Sequence, residues 1–142
     1  NGLRIRHMKE NLARGFAASG FSLPEDRLFV KVGAVHSGRG LSLLRHYEIG
    51  NTLSELAELH GARSLHVCVA DRFSRTEAGL VDNLVSDPRY EVIRRLGRED
   101  EWTLVDLRPL RTKVLYDRIE AERFVEEWFT QHALVLITPA DE

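Results

Sequence analysis

At 142 residues, 43% hydrophobic and 30% charged, the chain has the size and make-up of a single folded domain that buries roughly two-thirds of its unfolded surface. Those proportions exclude a disordered or collagen-like chain, and a lone cysteine, Cys68, excludes an internal disulfide. A net charge of −2 gives no overall positive field of the kind that draws nucleic acid. No apolar run approaches the ~20 residues that cross a bilayer, and the opening NGLRIRHMKE lacks the apolar core of a signal peptide. These features predict one domain over residues 1–142 in a reducing, cytoplasmic setting without a membrane partner. The start at Asn1 and the single methionine, Met8, suggest a piece cut from a longer chain.

In chain order, Met8, Leu12 and Phe16 form a helical stripe that ends at Gly20. Arg27 to His36 (RLFVKVGAVH) alternates with period two and is rich in valine, which predicts a strand. Ser37-Gly38-Arg39-Gly40 then reads as a flexible turn leading into a helical pattern at Leu41, Leu43 and Leu44. Gly50-Asn51 predicts a break, after which Thr52 and Glu55 form a capping box for a helix carrying Leu53, Leu56, Ala57 and Leu59, closed by Gly61.

Ser64 to Asp71 (SLHVCVAD) has the clearest strand alternation, with Leu65, Val67 and Val69 on one face. A second capping box, Ser74 with Glu77, predicts a helix through Leu80, Val81, Leu84 and Val85 that stops before Asp87-Pro88. Tyr90 to Leu96 and Trp102 to Leu107 read as two strands of an antiparallel hairpin joined by Gly97-Arg98-Glu99-Asp100. Asp117 and Glu120 form a third capping box, for a helix bearing Phe124, Val125, Trp128 and Phe129. Ala133 to Ile137 (ALVLI) is apolar on both faces, as an interior strand is. The expected class is α/β (α+β): a mixed β-sheet with an antiparallel hairpin, and helices packed on its faces.

Strand, two-glycine turn and helix start over Val32 to Leu44 (VGAVHSGRGLSLL) are the ingredients of an anion cradle, because glycines let several backbone N–H groups point at one phosphate. The same turn also serves purely to connect a strand to a helix. Residues 27–110, in the order strand, GRG turn, helix, SLHVCVAD strand, capped helix, YEVIRR strand and EWTLVDLRPL strand, resemble the second half of a GNAT acyltransferase. That resemblance implies a divergent acyl-CoA-binding domain, an N-acyltransferase, in which Ser37, Gly38, Arg39, Gly40, Leu41 and Ser42 hold the pyrophosphate of acetyl-CoA or another acyl-CoA. Aligned on Gly40, the central glycine of the family turn is kept and its flanking positions differ. Ser74 and Leu80-Val81 stand where the family has an asparagine and a leucine-tyrosine pair, so the tyrosine acid is missing. The bases left for direct acyl transfer to an amine are His36, Glu48 and His66.

Two other functions compete. Ala57, Gly61 and Val67 have the spacing of a helix-turn-helix, with Arg94, Arg95 and Arg98 at the tip of a hairpin wing, although alternation in SLHVCVAD favours a strand. A non-catalytic α/β interaction or regulatory domain is the other. His66 and Cys68, two apart on a strand, share a face as a thiolate–imidazole pair would. Asp71, Arg72 and Arg75 would reach a ligand at Ser37–Gly40 if their strands were neighbours. Spacing among His7, His36, His46, His60, His66 and His132 fits no metal site. The expected partner is a small-molecule or phosphate-bearing ligand, with no metal, and nucleic acid is not expected.

Overall fold

A computed structural model describes residues 2–23, 25–85, 90–116 and 130–139. Its contacts separate into two compact units, Asn1–His66 and Val67–Glu142. The fold class is α+β, with a mixed three-stranded sheet and a separate antiparallel hairpin.

The first unit is built on helices α1 (Gly2–Ser19), α2 (Ala34–Ser37) and α3 (Ile49–Leu59). In α1 the stripe Met8, Leu12, Phe16 is half-buried below the buried Ile5, and Gly20 ends the helix with φ +67. Phe16 stacks on Phe21 with ring centroids 4.8 Å apart. Residues 27–33 form no strand: alternation alone does not make a ladder without a neighbouring edge to pair with, and Leu28 and Phe29 are exposed. The helix expected from Leu41 is instead an excursion closed by a bridge between Leu41 and Tyr47, with Arg45 at φ 58 in its turn.

Helix α3 starts three residues ahead of the expected capping box. Glu48 precedes its first turn, and Thr52 donates to the Glu48 carbonyl through both its N–H and its hydroxyl. Gly50, read as a breaker, lies buried inside the helix, where a Cβ would come within 2.2 Å of the Ser37 carbonyl oxygen. Gly61 closes the helix region as expected, with φ +66. The buried set of this unit mixes Ile5, Ile49 and Ala57 with Ser42, Glu48, Ser54 and His66, so its interior is as polar as it is apolar.

In the second unit, β1 (Val67–Ala70), β4 (Thr103–Asp106) and β5 (Leu134–Ile137) form a sheet in the order β1-β5-β4. Strand β1 runs parallel to β5 with Val67 opposite Leu134, and β4 runs antiparallel to it with Thr103 opposite Ile137. The apolar run at 134–137 is therefore the central strand, as its two-sided hydrophobicity required. Cys68 and Ala70 turn inward with Val135 and Ile137, while Val69, on the other face of β1, is 54% exposed. Small residues on β1 leave room for Leu84, Ile93 and Leu107 in the same cluster. Each fully buried leucine, isoleucine or valine there contributes about 1.5–3 kcal/mol.

The antiparallel hairpin exists, but at a different place from the expected one. Strands β2 (Phe73–Thr76) and β3 (Gly79–Asp82) pair with Phe73 opposite Asp82, around Glu77-Ala78, and Gly79 at φ +115 takes a conformation other residues rarely adopt. That turn overrides the Ser74–Glu77 capping signal. The expected strand at 90–96 is helix α4 (Glu91–Leu96), where Glu91 binds Arg94 and Arg95 one turn ahead and Ile93 is buried. Helix α5 (Arg108–Leu115) follows β4. The capping box at Asp117 and Glu120 and the helix through Phe129 fall outside the described residues.

Candidate functional site around His36 and Glu48

The side chains with the most chemical potential gather in the first unit where the segment after α2 meets the start of α3. Short helix α2 carries His36 at its third position. The excursion at 41–47 turns Ser42 inward, and Glu48 is the residue before α3. Glu48 is only 1% exposed, yet both carboxylate oxygens have partners: His36 Nδ1 lies 2.9 Å from Oε2, and the Ser42 hydroxyl donates to Oε1 at 3.1 Å. A carboxylate this deeply buried is tolerated only when it is paired. The His36 side chain keeps 17% of its surface exposed, and its Nε2 has no protein hydrogen-bond partner among the described residues.

Two of the three bases named from sequence thus form a pair. His66 has another role. Its Nδ1 donates to the Ser37 carbonyl at 2.7 Å and its Nε2 lies 3.1 Å from the Ser64 hydroxyl, so both ring nitrogens hold backbone and loop in place. Cys68 is not a thiolate. Burial pushes its thiol up to about 11, and it packs within the apolar cluster of the second unit.

The expected phosphate turn is pinned to α3. The N–H of Gly40, a residue at φ 84, donates to Asn51 Oδ1 at 2.8 Å, and the N–H of Ser42 donates to the His46 carbonyl at 2.9 Å. Asn51 in turn donates to Glu55 at 2.9 Å. Two of the amides expected to face an anion are therefore engaged within the protein. No helix follows the turn directly: the next one, α3, begins at Ile49. Arg39 is half-buried and makes no ion pair among the described residues. Sequence reasoning missed Asn51 by reading it as part of a break; its bond partner is 11 positions away, and no local pattern marks it.

Segments assigned to the other readings are arranged differently. Strand β1 occupies the place of a recognition helix, and the arginines of the imagined wing sit on or just beyond α4, where Arg94 and Arg95 are paired with Glu91 and Arg98 with Glu101. Arg72 is buried: its Nε meets Asp82 at 3.2 Å, another of its nitrogens donates to the Gly97 carbonyl, and its guanidinium lies 4.5 Å from the Phe73 ring centre. Asp71 accepts from the Thr138 hydroxyl at 3.3 Å, and the parallel neighbour of β1 is β5 instead of residues 27–36. Among the described residues no three histidine, cysteine or acidic side chains come together as metal ligands, and no helix is long and apolar enough to cross a membrane.

Comparison with protein-family models, curated proteins and solved structures finds no match to this chain.

Proposed function

We propose that the first unit carries a general-base centre for acyl transfer from a CoA thioester to an amine, with His36 as the base and Glu48 as the group that orients it. The observation carrying this reading is the 2.9 Å contact between His36 Nδ1 and a carboxylate that is itself buried and fully paired. A histidine held at one nitrogen by a carboxylate, with its side chain still partly exposed, has the arrangement a proton acceptor needs. Nε2 takes the proton of the amine as its nitrogen attacks the thioester carbonyl. The C–S bond then breaks, and the leaving thiolate takes the proton back from His36. The acyl donor is suggested by the GRG sequence of the turn, with Arg39 and the backbone of Gly38 left to meet a phosphate.

The test combines binding with turnover. CoA or acetyl-CoA at millimolar concentration raises the melting temperature, Arg39→Glu reduces that rise, and His36→Gln abolishes acylation of amine acceptors by mass spectrometry while keeping the rise. A melting temperature indifferent to CoA overturns the reading.

A second reading, a non-catalytic interaction or regulatory domain, is favoured by one observation. The Gly40 amide ties the turn to α3 and the Ser37 carbonyl ties it to His66, while the Ser42 amide and hydroxyl close the excursion onto His46 and Glu48. Under that reading CoA produces no thermal shift and no acyl product forms, while loss of Glu48 still destabilises the protein.

A further inference from the structure

We propose that Ser42 is a positioning residue that sets the tautomer of His36 through Glu48, holding the proton on Nδ1 and leaving Nε2 as the basic nitrogen. This rests on the reading of His36 as a base, and it follows from the direction of each hydrogen bond in the chain. The Leu44 N–H lies 3.2 Å from Ser42 Oγ and can only donate to it. The hydroxyl has one proton, and its other close partner, Glu48 Oε1 at 3.1 Å, accepts it. Glu48, held as an acceptor at Oε1, accepts at Oε2 as well from a proton on His36 Nδ1. The order is therefore Leu44 N–H to Ser42 Oγ–H to Glu48, met from the other side by His36 Nδ1–H.

Burial gives Ser42 its leverage. With Glu48 1% exposed and Ser42 4% exposed, bulk water is a poor substitute for the missing hydroxyl. Removing it frees Oε1 of the donor that holds it, so the carboxylate is no longer fixed with Oε2 against His36 Nδ1. With that contact loosened the imidazole proton is shared between Nδ1 and Nε2, and the basic nitrogen is no longer fixed. The change is an exchange of one proton between the two ring nitrogens, with no net gain or loss. Peptide geometry supports the assignment, since Ser42 is fixed on both sides, its N–H to the His46 carbonyl and its carbonyl to the Arg45 N–H at 2.8 Å.

The experiment reads the tautomer and needs no substrate. In long-range proton–nitrogen correlation spectra of 15N-histidine-labelled protein, taken well above the ordinary imidazole pKa of ~6.5, wild-type His36 shows a protonated, pyrrole-type Nδ1 and a pyridine-type Nε2. In Ser42→Ala the two assignments exchange or average, whereas Ser42→Thr, which keeps the hydroxyl, gives the wild-type pattern. Ser42→Cys, of similar shape and a weaker donor, moves part of the way and serves if the alanine variant does not fold. A wild-type Nε2–H tautomer, or an unchanged pattern in folded Ser42→Ala or Ser42→Cys, overturns the proposal. Because the signal is independent of CoA and amine, failure of the acyl-transfer reading leaves this result standing, and the reverse also holds.

Discussion

Gly50 and Ser37 meet backbone to backbone: a Cβ on residue 50 would lie 2.2 Å from the Ser37 carbonyl oxygen and 2.7 Å from that of Gly38. The close approach lets the start of α3 sit under the segment that carries His36, so the dyad depends on an atom that is missing from the chain.

The prediction is a contrast between two glycines in helices. Gly50→Ala destabilises the first unit by about 1–3 kcal/mol, despite alanine's better helix propensity, because the backbone it meets has no rotamer to escape into. Gly15→Ala, in α1 with nothing within 4 Å of the added methyl, stabilises by about 0.5–1 kcal/mol. Urea unfolding of the two variants measures both; a neutral Gly50→Ala would contradict the packing described.

Cys68 makes stability depend on alkaline pH. Its folded value, raised by burial from 9.0 to about 11, means the folded chain keeps the proton that the unfolded chain releases. The contribution is complete below pH 9 and is lost as pH rises through 11, of order 2–3 kcal/mol in all. Cys68→Ala flattens the stability profile across that window. In the native protein the thiol reacts with a disulfide reagent at pH 8 only as fast as the unit opens, so the rate rises steeply in urea.

Much of this architecture was legible in the residues. The stripe of α1, the glycines that end α1 and α3, and the strands around Cys68, Leu104 and Val135 were each visible because local pattern and tertiary demand agreed. Disagreement explains the rest. Arg27 to His36 alternates like a strand but finds no ladder, and Ser74 with Glu77 offers a helix cap that the positive φ of Gly79 overrules. At 90–96 the apolar alternation concealed a helix whose signal was the spacing of Glu91 from Arg94 and Arg95. The site was legible only as separate parts. His36, Glu48 and Ser42 were each named, but their meeting depends on a turn at Arg45 and on Gly50, and neither advertises which side chains it will bring together.

Arg72 gives the second unit a charged pin. Truncation to alanine leaves the half-buried Asp82 without its cation and the Gly97 carbonyl without its donor, and costs about 1–3 kcal/mol. Asp82→Asn in the same background costs less than it does alone, and the resulting coupling energy in a double-mutant cycle is the measure. Additive effects would show that the pair does not act as one.

Glu91 supplies an acid-side test. Arg94 and Arg95, by hydrogen bonds and then by charge, hold its carboxyl at about 2, below the ordinary 4.5. A depressed carboxyl stabilises above its ordinary value, and that support drains away as pH falls from 4.5 towards 2. The group is at the surface, so the effect is small and salt screens it. Glu91→Gln shallows the acid limb of the stability curve at low ionic strength and leaves it unchanged in 1 M salt.

Strand β5 lies between β1 and β4, yet it follows both along the chain. During synthesis the earlier two strands have no common neighbour until residues 134–137 leave the ribosome. Val67 then waits for Leu134, and Thr103 for Ile137, before either ladder can close. Of these three strands, the one made after the other two is the keystone of the sheet, so a ribosome that stalls before it releases two unpaired edges, the form of chain that chaperones and proteases recognise.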